Sequence, residues 1–430
     1  MLQTLRNAWK IPELRKKLIY TVLLLVIFRL GSYIPVPGLR EEAIKEFMGG
    51  FGAGMQGLLN NFSGGALERG SIFAMSISPY INASIIMQLL SVAIPALERL
   101  SKEGEEGRKK IASYTRVVTV VLGLLQAVGL YFGLKSGIAF PGFMGAVITI
   151  TSLTAGTAFL MWLGEQITEK GVGNGISLLI FAGIVSRGPA MIKSLYVSVF
   201  AAEGGVSIPG VVSLVAIVVV AVLAIAFVVM MNEAERRIPV QYAKRVVGRK
   251  MYGGQSTHIP IKVSMAGVMP IIFAVSIMSF PQTISMFVNG ANTPTTGFWG
   301  LILRWFTETH PFYIIVYFLL ILFFTYFYTS IQFNPIEVSN NIQKNGGFVP
   351  GIRPGKNTSD YVAKIVSRIT LVGALFLAVI AIFPILLSFT GIQGVSIGGT
   401  SLLIMVGVAL ETVKQIESQM LMRHYKGFLE

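Results

Sequence analysis

The chain offers few groups with which to do chemistry. Its histidines, His258, His310 and His424, lie far apart in sequence, and none adjoins a Ser or Cys nucleophile in a recognised arrangement. There is no cysteine, which excludes thiolate catalysis and disulfides. With three histidines and one aspartate, a metal centre is not expected. The stretch GIRPGKNTS over 351–359 superficially suggests a phosphate loop. That pattern needs glycine at position 350 and Ser or Thr at 357, where Pro350 and Asn357 stand. Neither a catalytic role nor a cofactor is expected.

What does recur is isoleucine. Aligning Pro79 with Pro270 superposes Ser76–Met87 on Gly267–Met278 and pairs Ile81 with Ile272. Aligning Gly175 with Gly399 pairs Ile180 with Ile404. Ile85 lies one helical turn from Ile81, and Ile176 one turn from Ile180, so each pair stacks on one helix face. Most intramembrane isoleucines face lipid. Convergence on the axis of a repeat points instead to a constriction that excludes water.

The elements that carry these residues must be membrane helices. Of the 430 residues, 53% are hydrophobic and 13% charged, and the charges cluster between long uncharged runs. A bilayer core takes about 20 apolar residues per helix. The runs 70–97, 117–134, 136–164 and 204–232 supply four spans. The double-length runs 263–303 and 369–410 supply one and two more, and 18–34, 174–197 and 312–333 complete a set of ten. With the amino terminus inside, 27 of the 35 Lys and Arg fall on the inner side, so both termini are expected in the cytoplasm. The matched segments are spans 2 and 7 and spans 5 and 10. An odd number of spans per half inverts the second half relative to the first. The expected fold class is therefore an all-α integral membrane protein of ten transmembrane helices in two inverted, pseudo-symmetric five-helix halves, 1–203 and 204–430.

Two kinds of loop stand out. The segment 49–70 carries eight glycines in 22 residues, too many for a stable span. Its apolar Met55, Leu58, Leu59 and Phe62 suit a short helix tucked back into a cavity. The inner loops 233–262 and 334–364 hold an excess of base. Topology and anionic lipid explain part of it. Arg353, framed by Gly and Pro, suits presentation of one guanidinium to an acidic or phosphate surface such as an ATPase or a ribosome. An ion-coupled transporter with five-plus-five inverted spans is the rival reading. It would require buried carboxylates or broken helices around a solute, and the spans carry no acid at mid-depth.

The motifs SISPYINASIIMQLL, KEGEEGRKKIASYTR, GVGNGISLLIFAGIV, ERRIPVQYAKR, GGQSTHIPIKVSMAGVMPIIFA, GIRPGKNTSDY and GGTSLLIMVGVALET resemble those of the SecY family, which also includes the Sec61-alpha proteins. Its members are central subunits of the Sec protein-conducting channel. The resemblance runs along essentially the whole chain. It implies an hourglass pore ringed by Ile81, Ile85, Ile176, Ile180, Ile272 and Ile404. It implies a plug within 55–70, comprising Met55, Leu58, Leu59, Asn60, Asn61, Phe62, Ser63, Gly64 and Gly65. A lateral gate between spans 2 and 7 would have Gln88 and Phe280 on or near it. Arg237, Arg245, Arg249, Lys250 and Arg353 would form the docking surface for the SecA ATPase or the ribosome. The implied partners are the small subunits SecE and SecG, preproteins with signal sequences, and anionic lipids. The implied location is the cytoplasmic (inner) membrane.

Overall fold

A computed structural model describes residues 2–40, 44, 63–134, 138, 142–190, 193, 208–242, 245–247, 250–252, 256–289, 297–307, 310–388 and 399–426. The chain is mostly helical. The short helix α1 (Leu2–Lys10) precedes α2 (Pro12–Gly31), α3 (Ser78–Ala93), α4 (Pro95–Lys102), α5 (Glu105–Gly133), α6 (Phe143–Lys170), α7 (Gly175–Ser186) and α8 (Ile208–Glu233). Strands β1 (Glu235–Tyr242), β2 (Arg245–Val247), β3 (Lys250–Tyr252) and β4 (Ser256–Lys262) follow. Then come α9 (Met269–Asn289), α10 (Gly297–Trp305), α11 (Pro311–Gln332), α12 (Pro335–Lys344), β5 (Gly347–Phe348), α13 (Lys356–Ser388) and α14 (Gly399–Lys426).

Each apolar run read from the sequence contains a helix, but the lengths differ from expectation. On length and apolarity alone, four described helical stretches suffice to cross a membrane, in α5, α6, α11–α12 and α13, or five if the bent pair α3–α4 is one span. This makes the chain a multi-pass membrane protein. Span 2, expected over 70–97, is helical only from Ser78 and is preceded by turns. It ends at Ile94, which is extended, because a residue before proline is pushed out of the helical region. Pro95 then opens α4, bent by 101° from α3. Helix α7, with 12 residues, reaches about 18 Å at 1.5 Å per residue, short of the bilayer core. Its start is fixed by Asn174, whose side-chain oxygen accepts from the Ser177 N–H at 3.2 Å.

Packing falls into two sets. In the first, α3 lies on α5, α5 on α6, α6 on α7, and α2 on both α6 and α7. In the second, α9 lies on α11, α11 on α13, and α8 and α13 on α14. The sets meet chiefly where α5 packs on α9 and α7 on α14, while α1 also lies along α14. Lipid supplies little hydrophobic drive between helices, so close backbone approach matters. A Cβ on Gly175 would collide with the carbonyl of Gly164, which is why α6 and α7 can touch there.

The helical membrane part carries a small addition of sheet outside it. The two basic loops contain sheet: β1 pairs antiparallel with β4 from Glu235↔Lys262 to Gln241↔Ser256, and β5 pairs with the end of β1. A separate hairpin joins β2 and β3. Ile238, Val240 and Ile261 point into a small core with Ile342, Val349, Val362 and Val366, so α12 and the start of α13 cover one face of the sheet. The alternation of buried Ile238 and Val240 with exposed neighbours is the period-two signature of a half-buried strand.

Candidate pore constriction and its surroundings

Four helices carry the isoleucines. Ile81 is the fourth residue of α3 and Ile272 the fourth of α9, each two positions after a proline that is the helix's second residue. Ile180 and Ile404 are the sixth residues of α7 and α14. The residues aligned by sequence therefore stand at equal offsets in their helices.

Five of the six meet. Ile180 and Ile404 are buried in one apolar cluster, and Ile81, Ile176 and Ile272 pack against it. Ile176 also abuts Gly164 of α6. Ile85 is buried in the adjoining cluster with Ile271, Ala274 and Met278 of α9, a cluster that Ile81 joins as well. The side chains that these six positions contribute are all aliphatic, within clusters that also hold aromatic rings. Such a surface excludes ions by withholding the ligands that would replace their hydration. Branching at Cβ stiffens each isoleucine at its first torsion.

The Gly-rich segment reaches the same cluster. Met55, Leu58, Leu59, Asn60, Asn61 and Phe62 lie outside the described residues. Ser63, Gly64 and Gly65 open a compact turn that runs to Gly70, in which Ser63 is buried and Gly64 and Gly65 take positive φ of 62° and 81°. Ala66, fully buried in this turn, belongs to the cluster that holds Ile180 and Ile404. Phe28 of α2 and Phe73 complete it, their rings stacked 6.2 Å apart.

The two expected gate residues are not brought together by any described contact. Gln88 is half-buried on α3, with its Oε1 enclosed and unpartnered, whereas Phe280 is largely exposed on α9. Helix α3 packs chiefly on α5, and α9 chiefly on α11. The two helices are linked through the isoleucine clusters near their starts.

The basic residues of the loops stand on the sheet and its flanks. Arg237 projects from β1 and pairs with Glu235 at 2.8 Å. Arg245 and Lys250 lie on β2 and β3, and Arg249 falls outside the described residues. Arg353 is exposed in a turn between Gly351 and Gly355, whose φ values are +82° and +96°. Thr358 donates to the Arg353 carbonyl at 2.9 Å, and Ser339 donates to the Gly355 carbonyl at 2.7 Å. The turn is thus pinned to α12 and α13 while its guanidinium stays in solvent.

Sequence reasoning missed a polar group at the other end of α2. Arg29 donates to the carbonyl of Gly64, and Tyr33 lies against both Arg29 and Arg69. Only the i, i+4 spacing of Arg29 and Tyr33 was visible beforehand; their link to a turn more than thirty residues away was not.

Known proteins carry the same architecture. The chain resembles the protein translocase subunit SecY of Thermotoga maritima, with 46% identity over 441 residues covering 100% of this chain and 98% of that one. Among solved structures it is similar to a protein-conducting channel, with TM-score 0.65 and 19% identity, covering 94% of this chain and 91% of the other. It is also similar to Sec61 in the canine ribosome–channel complex from the endoplasmic reticulum, with TM-score 0.62 and 18% identity over 94% and 91% of the two chains. These likenesses establish a shared fold. The SecY family profile itself matches residues 71–413, and with that match and the full-length similarity to the Thermotoga subunit, the chain belongs to the SecY family.

Proposed function

We propose that the chain is the channel-forming subunit of a Sec translocon, a passive conduit through which unfolded polypeptide crosses the cytoplasmic membrane or slips sideways into lipid. The observation that carries the reading is the meeting of Ile81, Ile176, Ile180, Ile272 and Ile404, from helices of both packing sets, in one aliphatic cluster. A collar of this kind seals against ions yet offers a passing chain nothing to grip. Ile85 belongs to the same ring in this reading, one turn further along α3. The segment 55–70 is its plug, and a signal sequence parts α3 from α9 at the lateral gate, where Gln88 and Phe280 lie. Opening requires that the signal bind the open state more tightly than the closed one.

The wider assembly belongs to the same proposal: ten spans in two inverted halves, 1–203 and 204–430, both termini in the cytoplasm, and SecE and SecG alongside. Energy comes from the SecA ATPase or the ribosome, docked on Arg237, Arg245, Arg249, Lys250 and Arg353, with anionic lipid around the basic loops. The exposed setting of Arg353 supports a docking role. So does the ribosome-bound state of the canine Sec61 channel, a relative by fold. The rival ion-coupled transporter gives way to the family to which the chain belongs.

The test is a stalled secretory chain in membrane vesicles. Because the chain has no cysteine of its own, single cysteines at 81 or 272 can be joined selectively to a cysteine in the stalled polypeptide. Cross-linking at both positions is expected. Its absence at both, with the stalled chain bound, would sink the conduit.

A further inference from the structure

The turn Ser63–Gly70 is buried through Ala66 and Leu67 and bonded at Gly70 by the Val36 N–H, and polar contacts hold it from two further sides. From α2, Arg29 Nη1 donates to the Gly64 carbonyl at 2.9 Å, and Nη2 donates to the Tyr33 hydroxyl at 2.9 Å. The fork of the guanidinium is thereby shared between the turn and the tyrosine two residues past the end of its own helix, and the bond to the carbonyl is strengthened by charge. The guanidinium carbons of Arg29 and Arg69 lie 4.8 Å and 4.3 Å from the Tyr33 ring centroid. Tyr33 therefore couples the helix arginine to the turn's own arginine through two cation–π contacts.

From α7, the backbone closes in on the same glycine. A Cβ at Gly64 would stand 3.0 Å from the Gly183 Cα and 3.1 Å from Ser186 Oγ. Arg187 reaches Glu68 of the turn at 3.7 Å. The Gly64, Glu68 and Arg69 contacts join the turn to α2, to α7 or to the residues just past their ends, and none joins α2 to α7. The helices themselves pack through Leu24, Phe28, Leu178 and Leu179, so releasing the turn leaves the bundle assembled.

We propose that Arg29 is a positioning residue for the plug, latching its trailing turn to α2 through the Gly64 carbonyl and the Tyr33 clasp, and so setting how readily the channel unseals. The proposal rests on reading 55–70 as the plug. Tyr33 is 55% exposed, and the latch consists of a few polar contacts next to solvent. Such contacts hold the solvent edge of an otherwise buried turn, which suits a catch that yields once an entering chain displaces the turn.

The experiment uses the full chain with its partner subunits. The chain lacks cysteine, and the 3.1 Å from an ideal Cβ at 64 to Ser186 Oγ matches the roughly 3 Å from a Cβ to the far sulfur of a disulfide. In Gly64→Cys/Ser186→Cys, whose first cysteine must take a φ of +62° and press on Gly183, oxidation should form the bond in the fraction of molecules that fold and block their export, and reduction should restore it. Adding Arg29→Gln should slow bond formation severalfold. Arg29→Gln alone, on the wild-type background, should raise resting ion conductance in planar bilayers severalfold, with Tyr33→Leu doing the same and Tyr33→Phe, which keeps the ring, doing less. If Arg29→Gln and Tyr33→Leu leave conductance at the wild-type value, the latch is overturned, whether or not the oxidised pair blocks export. If the oxidised pair forms and export continues unimpaired, the plug reading fails and the latch fails with it.

Discussion

Ile180 and Ile404 stand at the sixth position of helices α7 and α14, and both are buried in the same aliphatic cluster, 3% and 2% exposed. Their helices share one of the two main contacts between the packing sets. A residue pair that the sequence relates by repeat is thus also brought into one cluster, between helices of the two packing sets.

The collar is tested by polarity. Asn at both 81 and 272 would place amides in the cluster, giving water and ions partners that isoleucine withholds. Resting conductance in planar bilayers should rise severalfold, and preproteins with defective signal sequences should be exported more readily. Wild-type conductance in the double variant would count against the ring.

The docking turn is tested by charge. Arg353→Glu reverses an exposed charge on a turn whose backbone is pinned by Thr358 and Ser339, so the fold should be undisturbed. SecA-driven export into vesicles should fall at least about tenfold, a loss of roughly 1.4 kcal/mol or more in the productive complex, with insertion and protease resistance unchanged. Export at the normal rate would remove Arg353 from the docking surface.

The small sheet is tested by its core. Ile238 is 2% exposed beneath α12 and α13. Ile238→Ala should cost about 2–5 kcal/mol locally and make the 233–262 loop more sensitive to brief trypsin treatment. The exposed neighbour Arg237, substituted by Lys to keep the trypsin site, should leave the cleavage rate of that core unchanged; equal sensitivity in both variants would argue against the packed sheet.

Close helix approach is tested at Gly175. A methyl group there meets the Gly164 carbonyl, so Gly175→Ala should force α6 and α7 apart at a cost of about 1–3 kcal/mol. Thermal aggregation in detergent should begin at a lower temperature than for Gly188→Ala, where the added carbon meets open space.

Much of this could be read in the chain beforehand, for identifiable reasons. Helices in lipid must satisfy their backbone internally, so uncharged runs announce them. Pro79 and Pro270 mark equivalent helix starts because proline fits the first turn, and that put Ile81 and Ile272 in register. The sheet was obscured because the charges of Arg236, Arg237 and Lys262 dominate short strands, hiding the alternation around Ile238 and Val240. The span expected over 174–197 takes in Arg187, Gly188 and Pro189, and α7 ends at Ser186, just before them. The Arg29–Gly64 bond could not be read because its acceptor is a backbone carbonyl, which every residue possesses; only the folded turn aims this one.

The pairing of β1 with β5 has a mechanical consequence. It stitches the stretch after α8 to the stretch before α13, two lengths of chain more than a hundred residues apart. Neither arm can be pulled without tugging its neighbour, because β1 bridges β5 to β4, the strand that leads to α9.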